Sequence, residues 1–512
     1  MEKYKGLSAA QFFYRNREIA GFSNPVRALY QSVRELVENS LDATETHGIL
    51  PEIYLKIDVD KDKEDRIILE IEDNGIGIPG REIPNVFGRV FYGSKYTLRQ
   101  TRGVFGLGVK MAVLYAQITT GMPIYIKSST LNSSYIYEYE IQIDIEKNIP
   151  IIKFLKITKK KNRKQHGTKA RLITMGNLKG AHRRIEEYIK RTALIAPYAN
   201  IVFKTPKVEY VFKRVVQKLP TPPKVGKYHP KGVDIELLKM MIRKTKRKVK
   251  LVDFLSNNFD GVGKRTALNF CKWCGIDPNL EVKNLSVSML ELLSSKMREY
   301  PKWRRPRPIT LSPVGEKLLK EGARRILNPE FVTAVTRPPA SYSGNPFIVE
   351  VALAWGGDIQ PQNTPILYRF ANRIPLLYDE GADVARKIID SIDWNIYKVK
   401  FPARIVIITH LCSTKVPFKG VGKEAIADVP EVEKELNIAI REAARRLRRH
   451  LSKVEKAMEL KRRRVIIEKY IGEVSRALAY ICKMEDKIFL EKLSAMLRSD
   501  IEKRVLVRNV EA

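Results

Sequence analysis

ELVENSLDA, from Glu35 to Ala43, is the most informative stretch of this 512-residue chain. Val33, Leu36, Val37 and Leu41 recur near helical spacing, and no Pro or Gly interrupts Val26 to His47, so the pattern predicts a helix. Glu35 and Asn39 stand four apart and project from one side of it, a turn from each other. A carboxylate that orients water, beside a carboxamide oxygen that ligates a hard Mg2+, suits metal-assisted hydrolysis. The same ExxxN spacing also describes an ordinary solvated helix face, so its meaning depends on the neighbouring motifs.

Downstream, Ile67 to Glu72 alternates as a strand and runs into Asp73-Asn74-Gly75-Ile76-Gly77. An ionised carboxylate only accepts hydrogen bonds, so Asp73 at a strand end suits an exocyclic amine such as that of adenine. Gly75 and Gly77 let backbone approach a ring or ribose closely. Gly75 to Gly80 also spells GxGxxG, but a dinucleotide site needs an apolar strand entering the first glycine and a helix opening at the third. Asp73-Asn74 breaks the first requirement, and Pro79 and Pro84 break the second. A third motif, Gly103-Val104-Phe105-Gly106-Leu107-Gly108-Val109-Lys110, precedes an apolar helix from Met111 to Ala116. Glycines ahead of a helix start leave amides and the positive dipole end facing an anion. Upstream of it, Tyr92-Gly93-Ser94-Lys95 and the polar run to Arg102 read as a lid. A Walker loop is absent, since Gly263-Lys264 is followed by Arg265 and Gly422-Lys423 by Glu424. His166-Gly167-Thr168 falls where a late strand is expected.

In this order the four motifs resemble the GHKL ATPases (gyrase, the heat-shock chaperone, histidine kinases and MutL) over about residues 20–200. The resemblance implies ATP and Mg2+ as cofactors and the Bergerat ATP-binding α/β sandwich with its left-handed crossover. It implies Glu35 as general base, Asn39 as Mg2+ ligand and Asp73 as adenine reader with Gly75 and Gly77 beside the nucleotide. Ser94 and Lys95 would lie in the lid, residues 103–110 on the phosphates, and Thr168 would support Asp73 through a water. Glu38 and Asp42 are further acids on the same helix, and Glu38 stays open as the base.

The formal net charge is +36, from 93 Lys and Arg against 57 acids, beyond what solubility needs, and it points to a polyanion. The excess is patchy: Lys153 to Lys169 holds eight basic residues and no acid, Lys239 to Lys250 seven and none, Lys296 to Arg307 six with one Glu. Any one run fits a solvated face; three runs in a chain with an ATP site favour nucleic acid, DNA or RNA, as the partner. No run of eighteen apolar residues and no signal-peptide pattern occurs, so the expectation is no membrane and an intracellular, nucleoid-associated place. Four cysteines imply no disulfide framework, and Cys271 and Cys274 read as two thiols on a helix rather than a zinc pair.

The length implies several domains. Residues 1–228 hold the ATP motifs, and the Pro-rich stretch from Leu219 to Lys224 marks their end. Residues 229–306 read as four short helices over Ile235–Ile242, Leu251–Asn258, Thr266–Trp273 and Ser288–Tyr300, with a glycine hairpin from Asp260 to Lys264 that offers amides to a phosphate. Residues 307–430 return to strands: Phe347 to Ala354 and Ala403 to Thr409 as buried runs, Tyr368 to Tyr378 as a third. Residues 431–512 begin with a long helix to about Tyr470, followed after Gly472 by Val474–Cys482 and Ile488–Leu497.

The fold class is therefore α+β and multidomain. This layout, with Lys423 on a glycine loop between a core strand and the long helix, resembles the ATPase subunits of type IIB DNA topoisomerases. The resemblance implies a helix-two-turns-helix insert, an S5-like transducer whose Lys423 reaches the γ-phosphate, and a stalk and C-terminal helices contacting a separate cleavage subunit in an A2B2 heterotetramer. It also implies double-stranded DNA as the substrate, and homodimerisation on ATP, with Phe12, Phe13 and Tyr14 crossing to the partner. Asp58-Val-Asp60 is the one tempting DxD for DNA cleavage, and it reads as a hairpin end. A MutL-type mismatch-repair ATPase and a nucleotide-modulated nucleic-acid scaffold are the alternatives; the helical insert argues against the first, Glu35 with Lys423 against the second.

Overall fold

The computed structural model describes residues 6–510 apart from 94–97, 104–106, 163, 247, 421–422 and 484–486. It divides into two compact units, Met1–Ile392 with Phe401–Ala443, and Asp393–Lys400 with Ala444–Ala512. The architecture is mixed α and β with two separate sheets, as the sequence patterns require.

The first sheet comprises β1 (Glu52–Val59), β2 (Arg66–Asp73), β3 (Ile124–Ser129), β4 (Tyr135–Asp144), β5 (Ile149–Lys159), β6 (Gly167–Met175), β7 (Asn200–Lys204) and β8 (Glu209–Phe212), in the order β5-β4-β3-β6-β2-β1-β7-β8. Its helices are α1 (Ala9–Arg15), α2 (Pro25–Glu45), α3 (Ile83–Gly88), α4 (Gly108–Thr120) and α5 (Leu178–Ile195). Strand alternation places Ile53, Leu55, Ile57, Ile67, Leu69, Ile71, Ile124 and Ile126 on the buried face, in one core with Leu29, Val33, Leu36, Val113, Leu114 and Ile189 of the helices. ELVENSLDA lies within α2, which is capped at its start by Asn24, whose side chain accepts from the Arg27 amide, with Pro25 in the first turn. Asp58-Val-Asp60 ends β1 at the hairpin, where the Asp60 amide donates to the Arg66 carbonyl.

The insert has four helices, α6 (Ile235–Lys244), α7 (Leu251–Asn258), α8 (Lys264–Cys274) and α9 (Val287–Glu299), around a core of its own that includes Leu238, Phe254, Phe270, Leu293 and Trp303. Cys271 is buried and the Cys274 thiol donates to its carbonyl, and burial pushes both thiols up.

The second sheet follows α10 (Glu316–Leu327): β9 (Phe331–Thr336), β10 (Ala340–Tyr342), β11 (Asn345–Trp355), β12 (Ile366–Ala371), β13 (Ile374–Leu376) and, after α11 (Val384–Asp390), β14 (Ile405–Ser413). The central pair β11 and β14 is buried almost throughout, which explains their unbroken apolar runs. Tyr368 to Tyr378, expected as one strand, is a hairpin instead. β12 turns into β13 at Asn372 and Arg373, both in the left-handed region with φ of 49° and 67°, and neither turn residue is a glycine. α10 lies between α5 and the second sheet, so the two sheets share one core.

α12 (Pro430–Ile481) and α13 (Lys487–Val510) complete the chain. The expected break at Gly472 does not occur. α12 runs through it, because one glycine costs a helix only about 1 kcal/mol. Val474–Cys482 is thus almost wholly the end of α12. In the second unit the Ser494 hydroxyl of α13 donates to Ser475 at 3.0 Å, and Lys398 pairs with Glu455.

Candidate active site

A cavity of about 690 Å3 opens between α2, the end of β2, the start of α4 and the loop after β14. Its wall includes Glu35, Asn39, Asp73, Gly77, Gly103, Leu107, Gly108, Val109, Lys110, Thr168 and Lys423. Ser94, Lys95, Val104, Phe105 and Gly106 lie outside the described residues. Gly75 is off the wall: it packs against Ala43, and its amide donates to Asp73 Oδ1 at 2.9 Å.

Helical spacing sorts the acids of α2 into different environments. Glu35 and Asn39 are half-buried and face the cavity, and Gln31 one turn earlier donates to Glu35 Oε1 at 3.0 Å. Glu38 points the other way, buried and held by Arg34 at 2.7 Å. Asp42 reaches the wall too, but its Oδ1 is taken by Arg102 at 2.9 Å. Of the two candidate bases left open by the sequence, only Glu35 meets the cavity.

Asp73 is buried at the end of β2. Its Oδ2 accepts from the Ser40 hydroxyl at 2.9 Å, and its Oδ1 accepts from the amides of Gly75 and Thr168 at 2.9 and 3.3 Å. Burial pushes the carboxyl up to about 6, against the pull of those donors. The register of β2 with β6 sets Asp73 opposite Thr168, which joins two motifs far apart in sequence. Thr168 touches Asp73 directly through its backbone, while its hydroxyl bonds Ser128 at 2.9 Å. Gly77 has φ of 72°, and a Cβ there would stand 1.9 Å from the Ser129 carbonyl oxygen, so only glycine fits this turn on the cavity wall.

α4 begins at Gly108 with no side-chain cap among the described residues, and its start, Gly108 to Met111, lines the cavity. A Cβ on Gly108 would lie 1.7 Å from Glu35 Oε2, which seats the carboxylate directly on the helix start. Lys110 is nearly buried, and its ammonium donates to the Tyr92 carbonyl at 2.6 Å, while the Tyr92 hydroxyl donates to Glu82 at 2.6 Å. Lys423 has φ of 54° on the loop after β14. Its neighbour Glu424 is ion-paired with Arg27 of α2, and the Glu424 carbonyl accepts from buried Arg369 at 3.1 Å, so this loop is held against the first sheet's helix.

Sequence reasoning missed Ser40, the Arg27–Glu424 pair and the seat of Glu35 on Gly108. The Arg34–Glu38 pair, four residues apart, was a readable sign that Glu38 is structurally engaged.

Residues 24–171 match the family model of histidine kinase-, DNA gyrase B-, and HSP90-like ATPases, and residues 306–463 match that of the topoisomerase VI B subunit transducer. The chain is 53% identical over 506 residues to a protein of Pyrobaculum aerophilum named as the B subunit of type 2 DNA topoisomerase 6, covering 99% of this chain and 95% of that one. Proteins of the same name from Metallosphaera sedula and Saccharolobus shibatae are 47% and 45% identical, covering 93% and 100% of this chain and 90% and 97% of theirs. With identity at this level along the whole length, and with the MutL-type alternative thereby displaced, the chain belongs to the family of type 2 DNA topoisomerase 6 B subunits, the ATPase subunits of type IIB topoisomerases.

Proposed function

We propose that this chain hydrolyses ATP in the cavity between its two sheets, that ATP closes a homodimer around double-stranded DNA, and that closure drives one duplex through a break made by a separate cleavage subunit in an A2B2 heterotetramer. The observation that carries this reading is the common wall: Glu35, Asn39, Asp73, Lys110 and Thr168 from the first sheet's elements and Lys423 from the second meet around one space.

Asp73 accepts from the adenine amine, its oxygens oriented by Ser40, Gly75 and Thr168. The uncapped start of α4 binds the phosphates with Gly103, Leu107, Gly108, Val109 and Lys110. Glu35 takes the proton of the attacking water from its seat against the helix start. The donor set suits Mg2+: Asn39 offers a hard amide oxygen on the wall, and that ion takes one or two protein ligands with phosphate and water. Bound there, Mg2+ would neutralise phosphate charge. Lys423 contacts the γ-phosphate, which is the one group that distinguishes ATP from ADP.

The domains under this reading are an ATPase domain 1–228, a helix-two-turns-helix domain 229–306, a transducer 307–430, and a stalk with C-terminal helices 431–512 that engages the cleavage subunit. The separate core of the insert and the two sheets support it. Exposed Phe12 and Tyr14 on α1 supply the dimer contact, whereas Phe13 is buried against its own chain, so the crossing segment expected from sequence reduces to those two rings. The DNA contacts draw on exposed Lys153, Lys156 and Lys159 of β5, Arg243 and Lys244 at the end of α6, and Arg304, Arg305 and Arg307 after α9. No helix among the described residues is long and apolar enough to cross a membrane. An intracellular place beside the chromosome follows from the proposed substrate. The test is ATP-dependent relaxation of supercoiled plasmid by this chain with its cleavage subunit; binding of ATP without any change in linking number would overturn the strand-passage reading.

A further inference from the structure

Residues 98–103 form a strap held by the connecting segments at Gly226 and Thr310–Ser312 and by the β12–β13 turn of the second sheet. The Gly226 amide donates to the Leu98 carbonyl at 3.0 Å. The Gln100 amide donates to the Thr310 carbonyl at 2.9 Å, and the Ser312 amide donates to Gln100 Oε1 at 2.7 Å. Thr101 faces both ways: its hydroxyl donates to the Gly103 carbonyl at 2.9 Å, and its own carbonyl accepts from Asn372 Nδ2 at 3.2 Å. Arg102 is buried and donates to Asp42 and Glu45 of α2 at 2.9 and 2.8 Å.

Glu45 is shared. Its Oε1 accepts from Arg102 and from the Tyr198 hydroxyl at 2.9 Å, and its Oε2 pairs with Arg373 at 2.9 Å. Asn372 and Arg373 are the two residues of the β12–β13 turn, so one hairpin of the second sheet holds both Thr101 and Glu45. Asn-Gly suits a turn with two positive φ angles, and arginine at the second place is disfavoured by its backbone. What the arginine adds is the side chain that reaches Glu45. Its amide donates to His410 Nε2 at 2.9 Å, so His410 carries its proton on Nδ1 and donates to Glu350 at 2.8 Å. Glu350 in turn accepts from the Val314 and Gly315 amides, which saturates the buried Glu350–His410–Cys412 cluster by hydrogen bonds within the fold. The hairpin is thereby fixed to β14, the strand that leads to Lys423.

We propose that Arg373 and Asn372 are positioning residues through which the second sheet senses the phosphate loop, by contacts additional to that of the Lys423 side chain. Motion at Gly103 is passed through Thr101 to Asn372 and through Arg102 and Glu45 to Arg373, and the hairpin hands it to β14. The reciprocal also holds: the state of the second sheet sets the affinity of the loop for a γ-phosphate. This rests on the ATP reading above.

The test is nucleotide titration of the purified chain with ADP and with a non-hydrolysable ATP analogue, for wild type, Arg373→Gly and Asn372→Gly, with thermal unfolding of each. Both variants keep the turn's backbone conformation. The expected result is an ADP affinity within about twofold of wild type and an analogue affinity lowered at least fivefold in both variants. Equal small changes for the two nucleotides, or equal large ones, would overturn the proposal, because a packing role moves both alike or only the unfolding temperature. If Arg373→Gly fails to fold, Asn372→Gly and Arg373→Lys carry the same comparison. Wild type that binds neither nucleotide would instead overturn the ATP site itself.

Discussion

The carboxylate of Glu35 occupies the space that a side chain on Gly108 would need, with Oε2 1.7 Å from where a Cβ would stand. The proposed general base and the start of the proposed phosphate-binding helix are therefore one unit. Gly108→Ala is expected to drive Glu35 into another rotamer and lower the ATPase kcat by about 10²-fold or more, while ADP affinity changes within about threefold. Steady-state kinetics with ADP titration check it; a normal kcat would mean Glu35 is not poised at that helix.

The two acids of α2 separate by what each mutation damages. Glu35→Gln should keep nucleotide binding and lose about 10²–10⁴-fold in hydrolysis. Glu38→Gln should instead destabilise the fold by about 3–5 kcal/mol, since it leaves Arg34 charged, buried and without its partner. Chemical denaturation beside ATPase assays reads both. Catalysis lost in Glu38→Gln at full stability would reverse the assignment.

Asp73 ties binding to pH. Its carboxyl is pushed up to about 6 from an ordinary 3.8 by burial. In the proposed site it accepts more strongly from adenine when ionised, so ATP affinity should fall as pH drops through about 6, and this break should vanish in Asp73→Asn. Stability runs the other way. A carboxyl raised in the folded state contributes stability that is present below about 4 and lost as pH rises through about 6, on the order of 3 kcal/mol at most. Calorimetry with ATP between pH 5 and 8, and unfolding of the free chain over the same range, measure the two trends.

DNA affinity should be steeply salt-dependent and nearly indifferent to sequence, since under the proposed reading the exposed basic runs contact phosphates and release counterions. Log affinity against log salt gives the slope. A flat line would mean the runs are solvated surface.

The loop of Lys423 is clamped by Arg27 and Arg369 through Glu424, and in the proposed mechanism its ammonium makes one contact with ATP that ADP lacks. Lys423→Ala should lower hydrolysis more than binding. A non-hydrolysable analogue should give dimers in sedimentation where ADP gives monomers. An unchanged mass with the analogue would overturn the clamp.

The motif order in α2, β2, α4 and β6 was legible in the sequence because each piece is local: helical spacing aligned Glu35 with Asn39, and a strand end carried Asp73. The four insert helices and the buried β11 and β14 were legible for the same reason, through apolar periodicity and run length. The β12–β13 turn was not, because Asn372 and Arg373 adopt left-handed backbone without glycine, and only the pairing of Ala371 with Ile374 reveals it. The run of α12 through Gly472 was hidden as well, since a single glycine lowers helix propensity without forbidding a helix.

Which chemistry the chain carries was already written in its linear order, since acid, amide and glycine residues at fixed local spacings are a property of neighbours along the chain. Folding in three dimensions was needed to decide which acid faces the cavity, that Thr168 meets Asp73 through its backbone, and that Thr101 and Glu45 are gripped by Asn372 and Arg373. Those contacts join residues from 95 to 328 positions apart. Side-chain direction and strand register, set by the packing of the sheets and helices in one core, bring them within hydrogen-bond reach, and no local spacing encodes that.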